Sequence, residues 1–366
     1  MKIGAKWAIG LHSDPAATEL QASLVLTDGL DILDVAATLT RPYPHELHQQ
    51  LLSLTQNDFS DTQKLHTLDM QVTNCFISLA TELMMQTKQK VPKIDLIGLS
   101  GYGFLHQPDT KVHLTFGNAQ EIAQQLQLPV VHRFVQEDLN AGGVGSPLLA
   151  VFWDAMCRDL EKPTAIIGLG GITRLSYIGA VGNIIGFDIG LGTILLDRWI
   201  ERYTGQEMDF NGLYGAKGKI DERVLKTLLT QEYQLKKPPK AVQRTNFQNI
   251  LEQVEGLSVA DGAATLTAFL AHSIKNAEKF LPDPPAQWIF TGGGTNNPTL
   301  MLLLSQLLQN IQTGKNIFKY SENLDATGFA FLATRHMLNL PISFPSTTGV
   351  YEAVSVGTVE DLSLPT

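Results

Sequence analysis

The sequence predicts an α/β protein whose two halves follow one plan. Its 366 residues are enough for two domains of ordinary size. The predicted order of β-hairpin, strand, helix, strand and helix occurs once in each half of the chain. Three strand-like runs in the second half end in closely spaced glycines, as strands that lead into ligand-binding turns do.

The predicted hairpin of the first half joins residues 3–11 to residues 20–28 through a short connection. Over residues 62–88 the apolar positions recur about every 3.6 residues, which predicts a long helix. The other elements predicted in this half are helices at 46–57, 119–127 and 146–160 and strands at 94–101 and 128–134.

In the second half, two glycine-turned strands come first, and helices and one further strand follow. The strands are predicted at 164–180, 183–193 and 287–291. The helices are predicted at 194–204, 219–236, 245–255, 259–280, 297–309 and 325–337. Alternation of strands and helices in this way is typical of α/β proteins.

Composition excludes several classes of protein. Hydrophobic residues make up 44% of the chain and charged residues 17%, which is globular rather than disordered. The net charge is −9 and no long run of Lys or Arg occurs, so no nucleic-acid partner is expected. No run approaches about 18 apolar residues and no signal-peptide pattern is present. The sequence therefore predicts a cytoplasmic protein without a membrane segment.

The three glycine turns lie in residues 166–176, 184–197 and 288–301. Glycine permits positive φ and lets backbone N–H groups approach phosphate and ribose without a Cβ between them. Three such turns in order predict a nucleotide site. Asp188 in the second turn is a candidate for holding a water or Mg²⁺ near phosphates, or for bonding its own backbone as a turn acid.

Two further positions carry candidate chemistry. Asp138 precedes the pair Gly142–Gly143 and is either a general base toward a sugar hydroxyl or a simple turn acid. The Gly292–Gly294 run with Asn297 is either a nucleoside cradle or a tight crossover from strand to helix. The histidines show no metal-ligand spacing, so no metal site is predicted.

Five segments of the chain resemble motifs of one family, the anhydro-N-acetylmuramic acid kinases. FVQEDLNAGGVGSPLLAVF resembles F-R-x-x-D-x-A-x-G-G-x-G-A-P-L-x-P, and GLGGITRLS resembles N-I-G-G-I-A-N-L-S. GFDIGLGTILLDRWI resembles Y-D-T-G-P-G-N-x-L-x-D-x-W, and FTGGGTNNPTLM resembles C-G-G-G-x-x-N-P-x-L-M. LDATGFAFLA with FPSTTG resembles D-x-E-A-x-A-F-A-x-L-A with L-P-S-x-T-G.

The resemblance implies a fold and an assembly. The family consists of bacterial sugar kinases of the actin/hexokinase-like superfamily. The implied fold is α/β, with two actin-like (RNase H-like) lobes, each a five-stranded mixed sheet flanked by helices, and a cleft between them. The N-terminal lobe would take residues 1–131 and 342–366 with the sugar-side contacts, and the C-terminal lobe residues 132–341 with the glycine turns. A homodimer is also implied.

The resemblance implies a kinase that uses ATP and Mg²⁺ and acts on a small amino sugar, 1,6-anhydro-N-acetylmuramic acid. The 6-hydroxyl of the sugar is phosphorylated while a water opens the anhydro ring. This reaction belongs to cell-wall recycling. Asp138 would be the catalytic base. The implied cofactor-binding residues are Gly10, Ser13, Gly170, Gly171, Asp188, Gly190, Gly192, Gly292, Gly293, Gly294 and Asn297. The implied sugar-binding residues are Gly101, Tyr102, Gly142, Gly143 and Asp325.

The first phosphate loop departs from the family pattern G-x-M-S-G-T-S-L-D-G-x-D. Asp14 stands where the family has a glycine, and a carboxylate at this position is expected to repel phosphate. The alternative is that Asp14 or Glu19 holds Mg²⁺. Pro15 removes a backbone donor. Thr18 and Gln21 stand where the family has aspartates that organise the metal.

The sugar-side motif C-H-G-Q-T is replaced as well, with Ser100 in place of its histidine, and Val135 replaces the arginine of the Asp138 segment. Three hypotheses therefore stand open. The chain is an active anhydro-sugar kinase, a non-catalytic homologue that binds nucleotide or a muropeptide-like sugar, or a kinase of another small sugar.

Overall fold

The structure is a computed structural model that describes residues 4–54, 60–243 and 248–362. These residues form two compact units. Unit 1 takes the described residues of Met1–Met156 and Tyr320–Thr366, and unit 2 takes those of Cys157–Lys319. Among the described residues, no helix is both long and apolar enough to cross a membrane.

Each unit contains one main sheet, and unit 1 also contains a separate hairpin. The strands of unit 1 are β1 (Lys6–Ser13), β2 (Glu19–Thr27), β3 (Ile32–Pro42), β4 (Leu96–Leu99), β5 (Tyr102–Gln107), β6 (Val112–Phe116), β7 (Val130–His132) and β13 (Thr358–Glu360). The strands of unit 2 are β8 (Thr164–Leu169), β9 (Ile172–Ile178), β10 (Ile184–Leu191), β11 (Gln287–Thr291) and β12 (Ile311–Thr313).

Helices flank both sheets. Those of unit 1 are α1 (His45–Leu52), α2 (Thr62–Thr87), α3 (Ala119–Leu126), α4 (Phe134–Asn140), α5 (Ala150–Met156) and α14 (Leu324–Met337). Those of unit 2 are α6 (Thr193–Thr204), α7 (Leu213–Lys217), α8 (Glu222–Leu229), α9 (Glu232–Leu235), α10 (Gln248–Val254), α11 (Val259–Ala277), α12 (Pro298–Leu307) and α13 (Gly314–Ile317).

The main sheet of unit 1 has the strand order β13-β7-β4-β1-β2-β3. β1, β2 and β3 are antiparallel neighbours, and β4 and β7 continue the sheet in parallel with β1. β13 adds a sixth strand, antiparallel to β7. Beside this pairing, His132 Nε2 lies 3.3 Å from Glu360 Oε1, so the two outer strands are also joined through their side chains.

The sheet of unit 2 repeats this topology with the strand order β10-β9-β8-β11-β12. β8, β9 and β10 are antiparallel neighbours, and β11 and β12 run parallel to β8. This is the RNase H-like arrangement, and it confirms the predicted α/β class. The two sheets differ from the predicted pair of five-stranded sheets only in the added β13 of unit 1.

The predicted first hairpin is confirmed as β1–β2, and the helix predicted over 62–88 is α2. Several predicted elements have different bounds. Residues 164–180 form the hairpin β8–β9 rather than one strand, and the helix predicted at 146–160 is the shorter α5. The helix predicted at 219–236 is two helices, α8 and α9, and the strand predicted at 128–134 is the shorter β7. Strands β3, β12 and β13, the hairpin β5–β6 and helices α4, α7 and α13 were not predicted. Residues 55–57 and 245–247 of two predicted helices lie outside the described residues.

Unit 1 and the predicted N-terminal lobe differ in residues 132–156 and 320–341, which pack in unit 1. The packing of α14 on the sheet explains part of this difference. Gly10 of β1 lies so close to α14 that a Cβ on it would overlap the carbonyl of Ala326 and come 2.8 Å from the nitrogen of Ala330. A Cβ on Gly98 of β4 would come 2.8 Å from the carbonyl carbon of Phe329.

Candidate active site

Asp138 lies on α4 and is fully buried. Its Oδ1 accepts a hydrogen bond of 2.6 Å from the backbone N–H of Gly145. Burial raises the pKa of this carboxyl, and the hydroxyls of Ser343 and Thr348 and the N–H of Gly145 oppose the rise. Oδ2 is buried and has no hydrogen-bond partner of ordinary geometry among the described residues. Asp138 therefore combines one fixed oxygen with one oxygen that can still accept a proton.

The turn after α4 is shaped around this carboxylate. The N–H of Gly143 donates to the backbone carbonyl of Asp138 at 2.9 Å. A Cβ on Gly143 would overlap Oδ1 and come 2.7 Å from Cγ. Gly142 lies beneath the ring of Tyr351, whose Cε2 would be 2.9 Å from a Cβ at that position. The structure thus brings the predicted Gly142, Gly143 and Asp138 together.

Asp325 stands in the first turn of α14, with its side chain about half exposed. Its Oδ2 lies 3.9 Å from Nε2 of His12, and Nδ1 of the same histidine is 3.0 Å from Oγ of Ser100. The His12 ring stacks on Phe329 with a centroid distance of 5.6 Å. Sequence reasoning missed His12 as a partner of Asp325. The replaced family motif at Ser100 was the one signal that pointed to this region.

Tyr102 differs from its predicted role. The structure places it in the core of unit 1 with no exposed surface, stacked on Phe116 and edge-on to Tyr43, rather than on a sugar-facing surface. The physical reason is that Tyr102 begins β5 within the hydrophobic core of unit 1, where its ring fills the space beside Tyr43 and Phe116. Gly101 takes a φ of +68° beside the carbonyl of Phe116 and so makes the turn into this strand.

The turn between β1 and β2 contains the residues that align with the family's first phosphate loop. Asp14 Oδ1 accepts hydrogen bonds from the N–H groups of Thr18 at 2.7 Å and Glu19 at 2.8 Å. Its Oδ2 accepts from the N–H of Ala16 at 3.0 Å. The turn thus surrounds its own carboxylate with backbone donors, the groups that bind phosphate in other turns. Neither the expected repulsion of phosphate nor the metal role is needed to explain Asp14.

The two predicted phosphate contacts on β1 are engaged inside unit 1. The hydroxyl of Ser13 is nearly buried and accepts a hydrogen bond of 2.8 Å from the hydroxyl of Tyr43. Gly10 pairs with both β2 and β4 in the middle of the sheet, and its missing side chain admits α14. Their binding of phosphate stays a prediction.

In unit 2 the structure brings the three glycine turns together. β8, β10 and β11 run in the same direction, so the turns that follow them lie at one edge of the sheet. The N–H groups of Gly192 and Thr193 donate to the carbonyls of Gly171 and Gly170 at 2.8 and 3.0 Å. The first two turns are therefore hydrogen-bonded to each other at the start of α6.

The third turn packs on the first. A Cβ on Gly292 would come 2.7 Å from the carbonyl oxygen of Leu169, and one on Gly294 would come 2.8 Å from the Cβ of that leucine. Gly293 between them has nothing within 4 Å on its Cβ side. Asn297 caps α12, because its Oδ1 accepts the N–H of Leu300 at 3.0 Å. The turn thus combines a glycine that has free space on its Cβ side with the N-terminus of a helix.

Asp188 is held inside unit 2 by its neighbours. It is nearly buried, its Oδ2 accepts the N–H of Val242 at 2.9 Å, and its Oδ1 lies 3.7 Å from Nε of Arg174. Gly190 leaves room for the side chain of Gln234, whose Nε2 would be 2.9 Å from a Cβ there. Both residues join β10 to the segment that follows α8, and their contact with phosphate stays a prediction.

Within the described part of the chain, no group of three or more His, Cys, Asp and Glu side chains is placed to hold a metal ion. Mg²⁺ in nucleotide enzymes needs one or two carboxylates besides phosphate oxygens and water. The sequence suggested three carboxylates for Mg²⁺. Those of Asp14 and Asp188 accept hydrogen bonds from backbone N–H groups, and Oε1 of Glu19 accepts one from Nε2 of Gln21 at 2.7 Å. Each of the three is thus engaged within its own unit, and a metal role for any of them stays a prediction.

Comparison with known proteins gives a consistent family match. A family model described as anhydro-N-acetylmuramic acid kinase matches residues 6–361. The anhydro-N-acetylmuramic acid kinase of Rhizorhabdus wittichii is 34% identical over 359 residues, which cover 96% of this chain and 97% of the relative. The protein of the same name from Rhodopseudomonas palustris is 33% identical over 353 residues, which cover 94% of this chain and 96% of the relative.

Among solved structures, one similar chain is the activator of the 2-hydroxyisocaproyl-CoA dehydratase from Clostridium difficile with bound ADPNP. It is 12% identical, with a TM-score of 0.45, and the match covers 91% of this chain and 97% of that one. This distant likeness supports no inference about ligands of the present chain.

Proposed function

Because this chain belongs to the anhydro-N-acetylmuramic acid kinase family, we propose that it transfers the γ-phosphoryl group of ATP to 1,6-anhydro-N-acetylmuramic acid. In the proposed reaction a water adds to C1 of the sugar while the bond from C1 to O6 breaks. O6 receives the phosphoryl group, ADP leaves, and Asp138 takes the proton of the water. The proposal includes a cytoplasmic location, since ATP is the phosphoryl donor. The homodimer stays a prediction.

The observation that carries this proposal is the state of Asp138. A general base works best when its pKa is raised toward the working pH and when an oxygen is ready to accept the proton. Burial raises the pKa of this carboxyl, and among the described residues Oδ2 is the oxygen without a hydrogen-bond partner of ordinary geometry. Oδ1 is held by the N–H of Gly145, which orients the group.

The glycine turns of unit 2 support a nucleotide-binding role. They converge at one edge of its sheet, and one of them leaves Gly293 open toward a ligand. Backbone N–H groups at such turns and at the start of a helix favour phosphate oxygens. ATP supplies the phosphoryl group when bound, and phosphoryl transfer depends mainly on positioning and on compensation of charge.

In this proposal Mg²⁺ binds together with the nucleotide. The carboxylates of Asp14 and Asp188 already accept hydrogen bonds from backbone N–H groups, so neither is proposed as a ligand of the ion. The family match does not favour the non-catalytic homologue or the kinase of another small sugar.

The test is ATP-dependent phosphorylation of 1,6-anhydro-N-acetylmuramic acid by the purified protein, with Asp138→Asn as the control. The variant keeps the shape of the side chain and removes the base. We expect turnover by the natural protein and a decrease of about 10²- to 10⁴-fold in the variant, the usual contribution of a general base. Equal turnover by both proteins, or none by the natural protein, would refute the proposal.

A further inference from the structure

A cavity of about 210 Å³ lies within unit 1, between α4, the hairpin β5–β6 and α14. Its lining includes His113, Arg133, Phe134, Val135, Gln136 and Phe329. Three of these residues form the first turn of α4, the helix that carries Asp138. The cavity therefore lies at one end of the helix that positions the proposed base.

The charge in this cavity is positive. Among the described lining residues, Arg133 alone carries a permanent charge, and no carboxylate lines the wall. Its Nε lies 3.4 Å from Oε1 of Glu137 on the next turn of α4. A guanidinium has five N–H donors, so this ion pair leaves capacity for a second anion. Arg133 is also one of the few residues other than glycine with a positive φ, at +59°.

The cavity also has apolar side chains in its lining, and its wall is held in place by hydrogen bonds. Gln136 accepts the backbone N–H of His113 at 2.9 Å and donates to the carbonyl of Lys111 at 3.0 Å. These two bonds fasten the hairpin β5–β6 to α4. Val135 and Phe329 supply apolar surface. A ligand group that fits this cavity has a small apolar part and one anionic end.

We propose that this cavity receives the lactyl ether of the muramic acid and that Arg133 binds its carboxylate. The inference rests on the proposed function. The lactyl group has one methyl group and one carboxylate, and so matches a cavity with apolar side chains and a single permanent cation. In the family segment that the chain resembles, an arginine stands at the position of Val135. Here Val135 and Arg133 line the same cavity. Arg133 therefore supplies a cation beside the position where the family arginine is replaced by Val135.

The test compares two sugars that differ only in the lactyl ether, 1,6-anhydro-N-acetylmuramic acid and 1,6-anhydro-N-acetylglucosamine. We expect Arg133→Gln to lower kcat/KM for the muramic sugar about 10- to 100-fold, mainly through KM, as a lost charge-assisted hydrogen bond would. For the glucosamine sugar we expect a change within about twofold. Arg133→Lys keeps the charge without the planar fork and should lose less on the muramic sugar.

The matched control is Arg41→Gln. Arg41 is another arginine of unit 1, with its side chain 49% exposed against 50% for Arg133, and it also pairs with one carboxylate, that of Glu82. This control should leave the kinetics of both sugars unchanged. Equal loss by Arg133→Gln on both sugars would overturn the inference, since that result means a general structural effect. No loss on either sugar would overturn it as well.

Calorimetric binding of the two sugars separates this inference from the proposed function. If the natural protein turns over neither sugar, the proposed function fails. In that case the muramic sugar should still bind more tightly than the glucosamine sugar to the natural protein, and Arg133→Gln should remove the difference. Equal binding of the two sugars by the natural protein would overturn the inference regardless of activity.

Discussion

Gly143 and Asp138 pack so closely that any side chain on the glycine would displace the carboxylate. A Cβ on Gly143 would overlap Oδ1 and lie 2.7 Å from Cγ of Asp138. We expect Gly143→Ala to lower kcat by about 10²-fold, because a shift of about 1 Å in a catalytic group costs that much. Steady-state kinetics beside a melting curve checks this. Full activity in a folded variant would contradict the prediction.

The raised pKa of Asp138 predicts how stability depends on pH. A carboxyl whose pKa is raised by folding stabilises the fold fully below its usual pKa of 3.8 and loses that contribution as pH rises through the raised pKa. Asp138→Asn stays neutral at every pH. We therefore expect the variant to gain stability over the natural protein as pH rises from 4 to 7. Denaturant unfolding over this pH series measures the difference, and a constant difference would contradict the cause.

The carboxylate of Asp14 holds the turn between β1 and β2 together through the N–H groups of Ala16, Thr18 and Glu19. We expect Asp14→Ala to reduce the free energy of unfolding by about 2 kcal/mol, because three backbone donors lose a charged acceptor. Asp14→Asn keeps one acceptor oxygen and should lose less. The KM for ATP should not rise in either variant. A large rise in KM with unchanged stability would assign Asp14 to the nucleotide or its metal ion instead.

Lys240 is a nearly buried cation in unit 2. Its Nζ lies 4.7 Å from the ring centroid of Tyr233 and 5.2 Å from that of Phe280, and it donates to the carbonyl of Tyr233 at 3.1 Å. Burial lowers the pKa of Lys240 to about 8, and Lys279 contributes to the decrease. The fold thus favours the neutral amine over the charged one.

The sign of this shift predicts a stabilising variant. Since the pKa of Lys240 falls on folding, its contribution to stability is present above pH 10.5 and is lost as pH decreases through about 8. We expect Lys240→Met to be more stable than the natural protein at pH 7 by up to about 3 kcal/mol, at about 1.4 kcal/mol per pKa unit. The gain should shrink at pH 10. Lys226→Met, at an exposed position of α8 outside the surroundings of Lys240, is the control that should change stability little. A loss of stability at pH 7 would show that the aromatic contacts outweigh burial.

Much of the fold could be predicted because its signals are local. The 3.6-residue period of α2 and the short connection between β1 and β2 depend on residues near each other in the chain. The glycine turns were also visible, since a glycine cluster after an apolar run reports on the backbone at that place. The strands β3 and β12 were missed because their sequences carry little apolar alternation.

The candidate site was harder to predict, because a residue's type does not say what faces it. Asp14 looked like a charge beside phosphate, but its carboxylate turns back to three N–H groups of its own turn. Tyr102 looked like a sugar contact, but the core of unit 1 covers it. The sequence predicted no role for His12, and only the structure shows it beside Asp325 and Ser100.

The sequence by itself determined the family, the α/β class, the repeated order of elements and the identity of Asp138 as the candidate base. These follow from motifs and periodicities that persist in any conformation of the chain. Only the tertiary structure decided which glycines are in close contact with another element or side chain, and which carboxylates already accept hydrogen bonds from the backbone. Gly10 admits α14, Gly143 admits the carboxylate of Asp138, and Asp188 is bound to the N–H of Val242. The physical reason is that burial and hydrogen bonding depend on residues far apart in sequence, which meet only when the sheets and helices pack.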